Sequence, residues 1–130
     1  MTQEVHSLWL RAGQDANPHN KIIIYDQIIK LLPEDTEAMT YKADAVLEIN
    51  EPQWAVNLCN QALLVDPDNA HAFYQLACAY TVMNQFDEAV AYLKDALKYS
   101  ESYKEELATD PALAPLKDYP PFVQMFDKPT

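Results

Sequence analysis

The residues of this 130-residue chain able to do more than pack are three histidines, two cysteines and a surplus of carboxylates. His6, His19 and His71 fall in separate segments, with no HxxxH or HExxH spacing to hold a metal. Cys59 and Cys78 match neither CxxC nor a zinc-ligand spacing. Cys78 and His71 are a nucleophile and a base on one helix. Seven residues at a rise of about 1.5 Å set them roughly 10.5 Å apart along the axis, outside hydrogen-bond reach. A single glycine excludes a glycine-rich phosphate loop and a GxSxG elbow. No catalytic residue, cofactor or metal site is expected, and the chain reads as a non-enzyme.

The carboxylates do have a pattern. Glu37, Asp44 and Glu48 stand at i, i+7 and i+11, so one helix face carries all three. The formal charge of −11 suits neither nucleic acid nor an anionic membrane, because phosphates need clustered Lys and Arg. The nine basic residues are spread along the chain without a run. Such a surface keeps a protein in solution or draws basic ligands. Met1 to Gly13 shows no signal-peptide pattern, and no apolar run approaches the roughly 18 residues of a membrane span. A cytoplasmic protein with reduced thiols is expected.

Helices must position these groups. Val5, Leu8, Trp9, Ala12 and Ala16 draw one apolar stripe over Thr2 to Gln14, and Asn17-Pro18 closes it. A second helix is expected from about Asn20 to Leu32, closed by Pro33. Its run Ile22-Ile23-Ile24 covers more than one face, so one isoleucine should be exposed. Glu34-Asp35-Thr36 opens a third helix, Asn50 takes the turn after it, and Pro52 starts a fourth. The plan repeats from Ala70, with a turn at Asn84-Gln85. A shift of 34 residues matches Ala43 to Ala77, Asn50 to Asn84, Ala55 to Ala89 and Ala62-Leu63 to Ala96-Leu97. A period of this length signals stacked helix pairs, each with an apolar face that it cannot bury alone.

These residues carry a resemblance. Phe73-x2-Leu76-Ala77-x2-Tyr80, Ala89, Ala96 and the Asp66-Pro67 junction resemble the tetratricopeptide repeat (TPR) family, in particular free-standing bacterial three-repeat members with a C-terminal capping segment. The resemblance is strong over 70–102, good over 36–69, and weak over 2–35, where Trp9 and Lys21 replace small residues. It implies an all-α fold, a right-handed superhelix of three helix pairs with a capping helix and a short helical tail. The expected organisation is repeat 1 over 2–35, repeat 2 over 36–69, repeat 3 over 70–102, and a capping segment over 103–126. Asp110-Pro111 reads as a capped helix start within that segment. The tail is expected as a lid on the outer side of the last helix, or else as a docking patch around Pro120-Pro121-Phe122 and Phe126.

The family likeness also implies a concave groove lined by the first helix of each pair. Its residues here would be Glu37, Thr40, Tyr41, Asp44 and Glu48, then His71, Tyr74, Gln75 and Cys78, with His6, Leu10 and Gln14 in the first unit. Family members that clamp chaperone C-termini use Lys, Asn and Arg there. The uncharged or acidic set found here leaves a peptide carboxylate without compensating charge. The expected function is a non-catalytic protein-interaction module whose groove takes a protein or peptide segment of basic and apolar character. The alternatives are a secretion-type or assembly chaperone, a self-assembling homo-oligomeric subunit using Ile22–Ile24, Trp54 and the tail, and a regulatory or immunity partner of an enzyme.

Overall fold

Most helix starts in the repeated part of the chain have a local chemical cause. Thr2, Asn17, Asp35 and Asn69 each stand just before a helix, and each side chain accepts a hydrogen bond from a first-turn amide at 2.9–3.2 Å. Pro18 and Pro52 take first-turn positions, where their missing N–H is no loss. The structure, a computed structural model, describes residues 2–126. In chain order these form α1 (Gln3–Gln14), α2 (Pro18–Leu31), α3 (Thr36–Glu48), α4 (Pro52–Val65), α5 (Ala70–Val82) and α6 (Phe86–Tyr99). Next come α7 (Tyr103–Thr109), a 3₁₀ segment (Pro111–Leu116) and α8 (Pro120–Gln124). Among the described residues there is no strand.

One boundary differs from expectation. Asn17-Pro18 does not end α1, which stops at Gln14; it opens α2, with Asn17 Oδ1 accepting from the His19 amide at 2.9 Å. The residue before proline is extended in either case, and an extended residue with an Asn side chain is also an N-cap.

The turns inside the second and third helix pairs are copies. Asn50 and Asn84 both adopt φ of 61°, a left-handed conformation that Asn tolerates better than other non-glycine residues. The amide after each Asn reaches back to Val46 O at 3.0 Å or Tyr80 O at 2.9 Å, satisfying carbonyls at the helix end.

Each helix from α1 to α6 packs on its successor, and α3 also touches α5, giving the all-helical superhelix of stacked pairs. Ala43, Ala55, Ala77 and Ala89 are fully buried, so helices approach closely where those methyls meet. Of the three adjacent isoleucines, Ile22 and Ile24 are buried and Ile23 is 58% exposed.

The tail covers both helices of the last pair. The 3₁₀ segment packs against α5, while α7 and α8 pack against α6, so the segment wraps to the inner helix of the last pair. Leu107, Leu113, Leu116 and Phe122 are all buried in one cluster with Tyr74, Val90 and Leu93. The docking-patch alternative loses its anchor here, because Phe122 is only 6% exposed. Tyr119 adds a hydrogen bond to Asp87 on α6.

Candidate functional site

The wrap of the tail creates a cleft. Glu37, Tyr41 and Asp44 of α3 form one wall, His71, Tyr74 and Gln75 of α5 the floor, and Tyr103, Glu106 and Asp110 the other wall, around about 500 Å³. A larger open hollow of about 760 Å³ lies beside α7, Met125 and Phe126. Only the first brings together residues from three stacked helices and a row of carboxylates.

Six of the nine groove residues expected from sequence therefore meet in one place. Thr40 and Cys78 do not: both are buried behind the wall. Glu48 is exposed one turn past Asp44 and acts on the cleft through its charge. His6, Leu10 and Gln14 of α1 are exposed but do not line this cleft. Tyr103, Glu106 and Asp110 are the lining residues that the 34-residue period does not reveal. Their spacing, Glu106 one turn after Tyr103 and followed by a cap, was the available signal.

Aromatic rings run along the inner face. Trp9 lies 5.7 Å from both Tyr25 and Tyr41, and Tyr41 lies 5.0 Å from the His71 ring. Trp9, large where the family keeps a small residue, thus seats α1 against the second pair. Across the cleft Tyr103 stacks on Tyr74 with centroids 4.7 Å apart.

His71 is held neutral by its neighbours. The Thr40 hydroxyl donates to Glu37 O at 3.1 Å, so its oxygen accepts from His71 Nδ1–H at 2.8 Å. That leaves Nε2 to accept from the Gln75 amide at 3.1 Å. Burial lowers the His71 pKa, which agrees with this tautomer.

The carboxylates repel one another. The Asp44 pKa is raised, first by burial and then by Glu48, with Asp110 adding to it; Lys21 and a hydrogen bond from Gln75 pull it back. Lys42 is engaged elsewhere, 2.5 Å from Asp26 and over the Trp54 ring. Asp110 Oδ2 accepts a 2.6 Å hydrogen bond from the Tyr74 phenol, and its Oδ1 caps the 3₁₀ segment at Ala112 N, 2.9 Å away. Burial and that carboxylate raise the Tyr74 pKa well above the usual phenol value. Cys78 is likewise pushed up, and Cys59 to about 12, both by burial first, so neither thiol is a ready nucleophile near neutral pH.

Residues 47–108 match the family model of the tetratricopeptide repeat. The chain is similar to the tetratricopeptide repeat family, whose model matches just under half of it. Solved structures share the fold: the TPR2B domain of yeast Sti1, in a complex with pHsp70, at a TM-score of 0.74, 19% identity, and coverage of 88% of this chain and 96% of that one. The TPR2AB segment of Sti1, in a complex with pHSP90, gives a TM-score of 0.75, 21% identity, and coverage of 88% and 47%. MamA gives 0.66, 20% identity, and coverage of 87% and 74%. Curated relatives include DnaJ homolog subfamily C member 3 from Gallus gallus, 22% identical over 103 residues, and from Mus musculus, 24% identical over 102 residues. The matches cover 79% and 78% of this chain but 20% of each relative's length. Among the described residues no helix is long and apolar enough to cross a membrane, and no three His, Cys, Asp or Glu side chains are grouped to hold a metal.

Proposed function

We propose that this chain is a protein-interaction module that holds a segment of a partner protein in the cleft between α3, α5 and α7, and does no chemistry on it. The observation that carries the reading is the convergence of Tyr41, Asp44, His71, Tyr74, Tyr103 and Glu106 on one open hollow. Rigid aromatic rings provide contact area at low entropic cost, and nearby carboxylates provide selectivity. Complexes of the Sti1 TPR domains with pHsp70 and pHSP90 support a peptide ligand for this fold. The lining here carries no Lys or Arg, which argues against a ligand anchored by its own carboxylate. The buried, protonated thiols argue against a cysteine nucleophile. The free buried thiols favour a cytoplasmic, reducing setting. The groove set proposed is Glu37, Tyr41, Asp44, His71, Tyr74 and Gln75 with Glu48 as a charge contributor, while Thr40 and Cys78 support the wall from behind. The test is capture of partners by the wild type and by the double variant Asp44→Lys, Glu48→Lys at low salt. Loss of the wild-type partners is expected, and undiminished capture would sink the reading.

A second reading, assembly of identical chains, is favoured by exposed apolar side chains away from the cleft, notably Ile23 and Leu64, the latter 85% exposed. Light scattering at several concentrations separates the two readings. A chaperone of secretion or assembly type would use the same cleft as the leading one.

A further inference from the structure

No cation lines the cleft, although Lys21 acts on Asp44 from outside the lining. Glu37, Asp44, Glu106 and Asp110 all line it, and among the described residues none of the four lies in an ion pair. Two aromatic pairs face the same space: Tyr41 with His71 at 5.0 Å, and Tyr74 stacked on Tyr103 at 4.7 Å. The ring faces carry negative potential, and the carboxylates add to it. Among the described residues no three His, Cys, Asp or Glu side chains are grouped closely enough to coordinate a metal ion here. An organic cation does fit, because its charge is spread over a larger group and its methylenes gain from contact with the rings.

We propose that this cleft seats one cationic side chain, a lysine or arginine of the bound partner segment, between the Tyr41–His71 and Tyr74–Tyr103 pairs. The inference rests on the cleft being the binding groove, and it adds what anchors the ligand there. Asp44 and Glu106 stand on opposite walls and supply the charge, and the rings of Tyr41, His71 and Tyr103 replace the water that the cation sheds, with buried Tyr74 stacked behind Tyr103. His71, fixed as the neutral tautomer by Thr40 and Gln75, adds no competing positive charge. The space of about 500 Å³ is larger than one side chain requires and open to solvent, so flanking apolar residues of a peptide find room beside the cation.

The test is an NMR titration of the full chain with three probes: the pentapeptide acetyl-Ala-Leu-Lys-Leu-Ala-amide, the same peptide with norleucine for lysine, and spermidine. The lysine peptide should shift the signals of Tyr41, His71, Tyr74 and Tyr103, and bind about tenfold more tightly than the norleucine peptide. The double variant Asp44→Asn, Glu106→Gln should abolish that preference while its folded spectrum persists. Equal affinity of the two peptides at the cleft overturns the cation anchor but leaves the groove reading standing. Shifts confined to surfaces outside the cleft, or no shift with either peptide at millimolar concentration, overturn the anchor as well. Shifts with spermidine and none with the lysine peptide would assign the site to a free polyamine and contradict a peptide side chain.

Discussion

The Tyr74 phenol donates a 2.6 Å hydrogen bond to Asp110, 36 residues further along the chain, and this one contact joins the floor of the cleft to its outer wall. Asp110 spends its other oxygen on the Ala112 amide, so a single carboxylate both docks and starts the 3₁₀ segment. Tyr74→Phe should lower stability by about 1.5–3 kcal/mol, the range for a hydrogen bond to a charged group. Urea unfolding of Tyr74→Phe, Asp110→Asn and the double variant would show that the losses do not add. Hydrogen exchange over 103–116 should accelerate more than over α3 and α4. Unchanged exchange there would mean that Leu113 and Leu116 hold the segment without this bond.

His71 gives the fold an acid limb. Its folded pKa lies below the ordinary 6.5, so the folded state prefers the neutral ring and the unfolded state takes up the proton first. The stability that it contributes is complete above pH 6.5 and declines as pH falls from there toward the folded pKa. Denaturant midpoints measured between neutrality and mild acid should fall for the wild type and fall less for His71→Gln.

Asp44 works in the opposite sense. Burial and the neighbouring carboxylates raise its folded pKa above the ordinary 3.8, so the ionised form is a cost to the fold at neutral pH. Asp44→Asn should therefore raise the melting temperature at pH about 7, and the gain should shrink as pH falls through the raised value toward 3.8. A lower melting temperature at neutral pH would show that the Gln75 and Lys21 contacts outweigh the repulsion.

How much of this was legible in the sequence depends on whether a feature is local or made by the path of the chain. Asn50 and Asn84 were readable as left-handed turns because each stands alone between two amphipathic runs in a protein with a single glycine. Asp35 and Asn69 recur one period apart and cap the helices that follow them. On α3, Tyr41 faces the cleft, but Thr40, about 100° around the helix, turns inward to meet His71. Periodicity finds an apolar stripe well and its polar border poorly. The position of the tail was not legible. Leu113, Leu116 and Phe122 announce an apolar face, but which helix accepts each follows from the three-dimensional stack: α7 and α8 lie on α6, and the 3₁₀ segment reaches α5 as well.

Small residues and exposed ones should respond in opposite ways. Ala77 is fully buried in the last helix pair, so Ala77→Leu should cost about 1–3 kcal/mol by overpacking. Leu64 is 85% exposed, and Leu64→Glu should leave stability within about 0.5 kcal/mol. Urea midpoints of the two variants check both values, and any change in light scattering on Leu64→Glu would report on self-association.

Site-specific photo-crosslinking tests most directly whether the cleft between α3, α5 and α7 is the partner-binding surface. A benzophenone side chain placed at Tyr41 or at Tyr103 should yield the same partner adduct in cells. The same group at Leu64, on the outer edge, should yield little of it. Adducts of equal strength at Leu64, or adducts there and none at the two tyrosine positions, would contradict the assignment of this cleft.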